Sequence, residues 1–388
     1  MNDLVQTILR DICQLPHRGA ATPEGAEAAR RLTEHLKDLG ATVRTEPFQT
    51  PKTYATVVYW LIGGLLTGLA LVPVTGVAVG FVWYFAWLAW RYFNWQYSFV
   101  TKFPVQHTAH NVIGRWTGRG TNKRKVILMA HYDTAPVSGL YRPGRQAQFR
   151  LSLIISLVLM VVAGFAAFAE VMGIGLPYVT YGRYGLMAYF LIQAITSTVG
   201  YWRQGYTNGA SDNATGVAAA LATADQLRRA NLPNLDMEVV LTSAEEAGMI
   251  GAYYYVQQHK REWRPTRPLV INFDTLGAGK LTVVEQTGTL EKIQYANEPT
   301  RLARSLIQTE AFRDRVQVGR WHTADFDSVW FVRNRIPVLA LCALDATGQM
   351  PRIHQPDDTL DAVDPTPVYD AIDFAEAIVR EWLALTTP

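Results

Sequence analysis

The sequence predicts an α/β fold, a mixed, mainly parallel sheet sandwiched by helices, with four transmembrane helices added in two hairpins. Three observations predict it. Over the second half of the chain, short apolar runs alternate with stretches of helical periodicity, the pattern of a largely parallel sheet covered on both faces. Two long stretches elsewhere are almost free of charge. Polar clusters follow several of the apolar runs, where an open α/β sheet places its ligands.

Composition narrows the classes. The 388 residues are 49% hydrophobic and only 18% charged, rich in apolar residues for a soluble protein. A formal charge of +3, with no continuous basic run, leaves no case for nucleic acid as a partner. Cys13 and Cys342 stand far apart in apolar contexts and read as buried free thiols, which hints at a reducing compartment. The first residues carry acids within an amphipathic pattern, so a cleavable signal peptide is not expected.

Taken in order, Leu4, Ile8, Leu9 and Ile12 recur at helical spacing, and a second helix runs from Glu24 to Leu39, with Gly40 as its C-terminal cap. Ala41 to Phe48 alternates like a strand. From Thr53 to Trp90, 38 positions hold no charge, and Pro73 and Gly76 divide them into two lengths that each suit a bilayer. Residues 53–95 are therefore expected to form a first transmembrane hairpin, with Trp83, Tyr84, Trp87, Trp90, Tyr92 and Trp95 as an aromatic belt. Asn111–Trp116 and Lys125–Ala130 read as neighbouring strands joined by the turn at 118–123. Between Leu151 and Trp202 the only charges are Glu170 and Arg183, so residues 149–203 are expected to form a second hairpin whose tip holds Gly173, Gly175 and Pro177. Strands follow at 237–243, 268–274 and 337–342, and helices near 246–259, 300–312 and 365–385. Segments 1–50, 103–147 and 204–388 then make one discontinuous soluble domain.

Each hairpin leaves and re-enters this domain, which must lie on one side of the membrane. Lys52, Arg91, Lys102, Arg142, Arg145, Arg150 and Arg203 flank the apolar stretches, and basic flanks stay in the cytoplasm. The expected protein is a multi-pass integral membrane protein with its soluble domain cytoplasmic and the lipid bilayer as a partner.

Five polar clusters sit at expected strand ends: His131-Tyr132-Asp133, Ser211-Asp212-Asn213, Glu245-Glu246, Asn272-Phe273-Asp274 and His354-Gln355-Pro356-Asp357-Asp358. Alone, Asp212 would read as a helix N-cap, the glutamate pair as a solvated helix start and His354 as a loop residue. Together they supply imidazole nitrogen and carboxylate oxygen, the ligands that suit zinc, with Asp212 in a small-residue turn able to share its two oxygens between two ions.

These clusters, with Gly248-Met249-Ile250-Gly251-Ala252 after the paired glutamates, resemble the motif series of the co-catalytic di-zinc exopeptidases, peptidase family M28, which includes the bacterial leucyl-aminopeptidases and glutamate carboxypeptidase II. The resemblance covers the soluble segments and leaves out both hairpins. It implies a zinc aminopeptidase-like fold, a peptide substrate and two Zn2+ ions, one held by His131 and Asp274, the other by Glu246 and His354, with Asp212 bridging. It makes Glu245 the general base; by their positions, Asp133, two residues beyond His131, and Asp358 are the groups expected to orient His131 and His354. His322 precedes Thr323-Ala324-Asp325-Phe326, which resembles the family's substrate-pocket loop, whereas His107 and His110 read as ordinary strand or loop residues. Where some members place an oxyanion-stabilising Tyr before the last His, this chain has Ile353, which leaves Tyr132, Tyr141, Arg142 or Arg145 for that role. The leading expectation is a membrane-anchored aminopeptidase; the alternatives are a single-zinc glutaminyl-cyclase-like acyltransferase and an inactive membrane scaffold of the same fold.

Overall fold

The structure, a computed structural model, describes residues 2–142, 144–263 and 266–385. Along the chain run α1 (Asn2–Cys13), α2 (Pro23–Asp38), β1 (Thr42–Thr50), α3 (Tyr54–Leu71), α4 (Val77–Phe93), β2 (His107–Trp116), β3 (Arg124–His131), α5 (Gln146–Val171), α6 (Tyr178–Gln204) and α7 (Thr215–Arg229). They are followed by β4 (Leu235–Thr242), α8 (Ile250–His259), β5 (Leu269–Phe273), β6 (Lys280–Thr287), β7 (Ile293–Gln294), α9 (Glu298–Ile307), β8 (Val316–Arg320), α10 (Val329–Arg333), β9 (Val338–Leu344) and α11 (Thr366–Ala384).

The strands form one mixed sheet in the order β1-β2-β4-β3-β5-β9-β6-β7, with β8 beside β6. Its centre, β4-β3-β5-β9, is parallel, while β1, β2, β6 and β7 join antiparallel. The parallel part is thus confined to the centre and to the β6–β8 pair. Because successive side chains of a strand face opposite ways, the sheet separates two cores. Val126, Leu128 and Ala130 of β3 pack with α1, α2, α7 and α11, whereas Ile127 and Met129 face the layer of α8 and α10.

One strand pairing differs from the sequence reading. The strands at 111–116 and 125–130 are not neighbours: β4 lies between them, antiparallel to β2 and parallel to β3. The turn at 118–123 therefore spans a strand rather than closing a hairpin, and Gly118 and Gly120 fit there because a Cβ on either would meet the backbone at Pro233. Strands β6, β7 and β8 were not expected from the sequence.

Both apolar stretches form helical hairpins. The turns fall at Val72–Gly76 and at Met172–Pro177, where helix-breaking residues stand. All four helices share one apolar core that includes Leu61, Leu65, Phe85, Leu157, Ala163 and Phe190. Among the described residues, only Tyr54–Leu71 and Gln148–Val171 are long and apolar enough by themselves to cross a membrane. This corrects the expectation of four such helices. Helix α4 has 17 residues and carries Arg91 near its end, and α6 carries Arg183 among Gly, Ser, Thr, Gln and Tyr residues that dilute its hydropathy. The outward face of the bundle is nonetheless apolar: Val158, Phe165 and Ile192 are 56%, 62% and 60% exposed.

Candidate metal centre

The central parallel strands carry the site at their C-terminal ends. His131 is the last residue of β3, Glu245 and Glu246 follow β4, Asp274 follows β5, and His354 lies in the loop after β9. Asp212 comes from the turn that opens α7, and an N-cap role there passes to its neighbour. Asn213 Oδ1 accepts the Gly216 and Thr275 N–H groups while its amide donates to Phe273 O at 3.0 Å, which ties the mouth of α7 to the end of β5. The Asp212 carboxylate is left to face the cluster.

Its two oxygens part company. Asp212 Oδ1 lies 3.3 Å from His131 Nε2, and Oδ2 lies 3.3 Å from His354 Nε2. His131 Nε2 is also 3.6 Å from Asp274 Oδ2, and His354 Nε2 is 3.1 Å from Glu246 Oε2. Asp212 thus stands between one group of His131 and Asp274 and another of Glu246 and His354, and all five side chains are largely buried. Ligand atoms of His131, Asp212 and Glu246 all lie within 4.8 Å of one another.

Electrostatics add to this. Burial opposes a charged His354, but Glu246 and Asp212 outweigh it and lift the imidazole to about 10. His131 is raised well above its ordinary range in the same way, by Asp274 with Asp133 and Asp212 against burial. Burial pushes Glu246 up to about 7, and it also raises Asp274 and, further still, Glu245. Carboxylates outnumber imidazoles in a nearly dry space, an arrangement that calls for added positive charge.

The donor set fits zinc. His131 Nδ1 lies 3.1 Å from the carbonyl oxygen of Asp133, which can only accept, so Nδ1 carries a proton and Nε2 is the nitrogen turned to Asp212 and Asp274, free to ligate once an ion displaces any proton there. Glu246 Oε1 is buried with no hydrogen-bond partner among the described residues.

Two orienting roles differ from expectation. The Asp133 carboxylate lies 3.7 Å from His131 Nδ1 and instead accepts the backbone N–H groups of Glu245 and Glu246, at 3.1 and 3.3 Å. Asp358 does not reach His354; it accepts the N–H groups of Ser211 and Asp212, at 2.7 and 3.0 Å. Each carboxylate fixes a backbone that carries a candidate ligand. The glutamate pair also lies ahead of α8 rather than inside its first turn, because Glu245 O accepts the Gly248 and Met249 N–H groups and closes a separate turn.

The sequence reading missed Arg18. It is fully buried, and its guanidinium donates to the carbonyl oxygens of Tyr132, Asn208 and Gly209 at 2.7 to 2.8 Å, binding the loop after His131 to the loop before Asp212. A lone arginine between two amphipathic helices gives no periodic signal. Asp327 was missed as well: it is buried, bonded to Thr242, and lifted to about 7 by burial.

Of the residues weighed for the oxyanion, Tyr132 donates its hydroxyl to His110 O, away from the cluster, and Arg142 and Arg145 are exposed. Tyr141 is buried, with its ring centroid 4.2 Å from that of His354. It lines a cavity of about 170 Å3 that holds the cluster, Glu245, Ile353 and the loop of Trp321, Thr323, Ala324, Asp325 and Phe326. His322 is not among the lining residues, and His107 and His110 lie in β2.

Comparison with known proteins agrees with this architecture. Residues 193–379 match the family model of Peptidase family M28, a stretch that contains Asp212, Glu245, Glu246, Asp274 and His354 and begins after His131. No curated protein matches the chain. Among solved structures, the LapA aminopeptidase of Legionella pneumophila is similar over 98% of this chain and 72% of its own, at 14% identity and a TM-score of 0.55. Bacteroides thetaiotaomicron glutaminyl cyclase is similar over 98% and 97%, at 14% identity and a TM-score of 0.59. A Zn-dependent exopeptidase from Parabacteroides distasonis is similar over 97% of each chain, at 14% identity and a TM-score of 0.54. The chain therefore has the fold shared by these aminopeptidases, exopeptidases and glutaminyl cyclases, and the sequence pattern of Peptidase family M28 runs through its C-terminal half.

Proposed function

We propose that the chain is a membrane-anchored zinc exopeptidase of the M28 type, an aminopeptidase that hydrolyses the N-terminal residue of peptides. The observation that carries this reading is the division of the Asp212 oxygens between His131 and His354, which leaves places for two ions. His131 and Asp274 would hold one zinc, Glu246 and His354 the other, and Asp212 both. Zinc bound there supplies Lewis acidity to the scissile carbonyl and lowers the pKa of water.

The chain's own residues do the rest. Glu245 lines the cavity and burial raises its carboxyl, which suits a group that takes a proton from the attacking water and passes it to the leaving amine. Asp133 fixes the backbone there by accepting the N–H groups of Glu245 and Glu246. The Tyr141 hydroxyl is the group proposed to steady the oxyanion where Ile353 offers none.

The exposed apolar faces of α3 to α6 support insertion of the hairpins in a bilayer, and their basic flanks support a cytoplasmic catalytic domain. In purified protein, two zinc ions per chain and release of amines from aminoacyl-anilides are expected. Glu245→Gln should keep both metals yet lower kcat by about 10²–10⁴. Fewer than two zincs, or activity that survives this substitution, would overturn the reading.

A second reading is a single-zinc acyl transferase of glutaminyl-cyclase type, supported by the similar fold and by Asp212, Glu246 and His354, which could hold one ion without His131. Cyclisation of glutaminyl peptides with one zinc bound would favour it.

A further inference from the structure

The cavity that holds the metal cluster does not end in the catalytic domain. It continues between the four helices of the hairpins, where Val58 and Leu61 of α3, Phe93 of α4, Leu153 and Met160 of α5 and Phe190 of α6 line it. One space therefore joins the scissile position to the interior of a bundle whose outer face is apolar.

The walls specify what can enter. No charged side chain from α3 to α6 is among the lining residues, so the arm between the helices accepts neither a free amine nor a carboxylate. Its polar groups are turned on each other: Gln193 Nε2 donates to Ser152 Oγ at 3.0 Å, Ser156 Oγ pairs with Tyr189 Oη at 2.9 Å, and Tyr54 Oη donates to Ser197 O at 3.3 Å. An extended peptide would bring an N–H and a C=O per residue into this arm with few partners to meet them. A helix, with a diameter of about 10–12 Å including side chains, is too wide to lie between these packed helices. A hydrocarbon chain needs no partners.

We infer that the site takes long-chain N-acyl amino acids or N-acyl peptides, with the acyl chain between α3, α4, α5 and α6 and the amide at the Asp212 cluster. This rests on the metallohydrolase reading above and replaces the free amino terminus by a fatty acyl group as the preferred acyl side. The charged amino-acid portion then stays in the aqueous half of the cavity. The reaction is hydrolysis: water oxygen bonds to the acyl carbon, the carbon–nitrogen bond breaks, and a water proton passes through Glu245 to the leaving nitrogen, giving a fatty acid and an amine.

The test uses the full-length, zinc-loaded protein in detergent with N-acetyl-, N-octanoyl- and N-lauroyl-leucine, N-lauroyl-leucyl-alanine and leucyl-anilide. Expected is a rise in kcat/KM of at least about tenfold from acetyl to lauroyl, well under the roughly fourfold per methylene that full burial of every added carbon would give. Leu153→Trp and Leu61→Trp, which fill the arm from two different helices, should bring the lauroyl-to-acetyl ratio close to one, with a melting curve to show that each variant folds. Faster turnover of N-lauroyl-leucine than of the dipeptide would identify free N-acyl amino acids as the source, and the reverse would identify acylated peptide ends. A flat or falling chain-length series, or filled variants that keep the ratio, would overturn the inference. Leucyl-anilide hydrolysis without lauroyl hydrolysis leaves the peptidase reading standing and removes this one. If no amide is cleaved, the peptidase reading fails by itself, and saturable binding of radiolabelled N-lauroyl-leucine, lost in Leu153→Trp, still decides whether the arm holds an acyl chain.

Discussion

Asp212 can face two imidazoles because other residues do its local work. Asn213 takes the capping bond at the mouth of α7, and Asp358 holds the backbone N–H groups of Ser211 and Asp212. A second buried acid shows how dryness governs behaviour here. Burial lifts the Asp325 carboxyl from an ordinary 3.8 to about 7, against donors from Phe326, Thr287 and Tyr295. Between these pH values the folded chain keeps a proton that the unfolded chain releases. The stability this contributes is complete below about pH 4 and is lost as pH rises through about 7. Asp325→Asn cannot ionise and should remove that slope. Its melting temperature should pull ahead of the wild type as pH rises from about 4 to 7, by an amount worth at most about 3–4 kcal/mol. Parallel curves would show that Asp325 ionises in the fold as it does in water.

Between elements, single residues set the joints. Arg18, between α1 and α2, bonds the loop after β3 and the loop before α7, so two candidate ligands from distant parts of the chain are registered by one guanidinium. Arg18→Met would leave three carbonyl oxygens without these donors. It should cost about 3 kcal/mol or more, read by thermal unfolding, and weaken zinc binding, read by chelator competition. In the bundle, small residues let helices approach. A Cβ on Gly164 of α5 would meet the Trp83 ring of α4 at 2.5 Å. Gly164→Leu should separate α4 from α5 and cost about 1–3 kcal/mol, seen as a lower melting temperature in detergent. An unchanged melting temperature would mean that this contact yields freely. The charges near the far tip are satisfied in place: Arg183 is buried and donates to Glu170 at 2.8 Å and to Leu69 O, so this cation is not left bare among the helices.

At the scale of the whole molecule, two hairpins rise from one domain and pack together as a bundle over the cavity that holds the candidate ligands. If the apolar faces of that bundle meet lipid, the protein should sediment with membranes after alkaline carbonate extraction and require detergent for release. Recovery in the supernatant would show that the bundle is covered in some other way. The alternation of strands and helices, the two uncharged stretches and the polar clusters at strand ends were legible in the sequence because each is a local pattern: period, length and residue type. Thus β1, β4, β5 and β9, the hairpin turns and the positions of His131, Asp212, Glu246, Asp274 and His354 could be read directly from it. The insertion of β4 between β2 and β3, the short strands β6, β7 and β8, and the roles of Arg18, Asp133 and Asp358 could not, because each depends on contacts between residues far apart in the chain. The sequence determined which chemical groups this protein has and which segments avoid water. Only the tertiary structure decided that both oxygens of Asp212 face an imidazole and that the cavity beneath them opens into the apolar bundle, since direction and continuity in space are not properties of any local stretch.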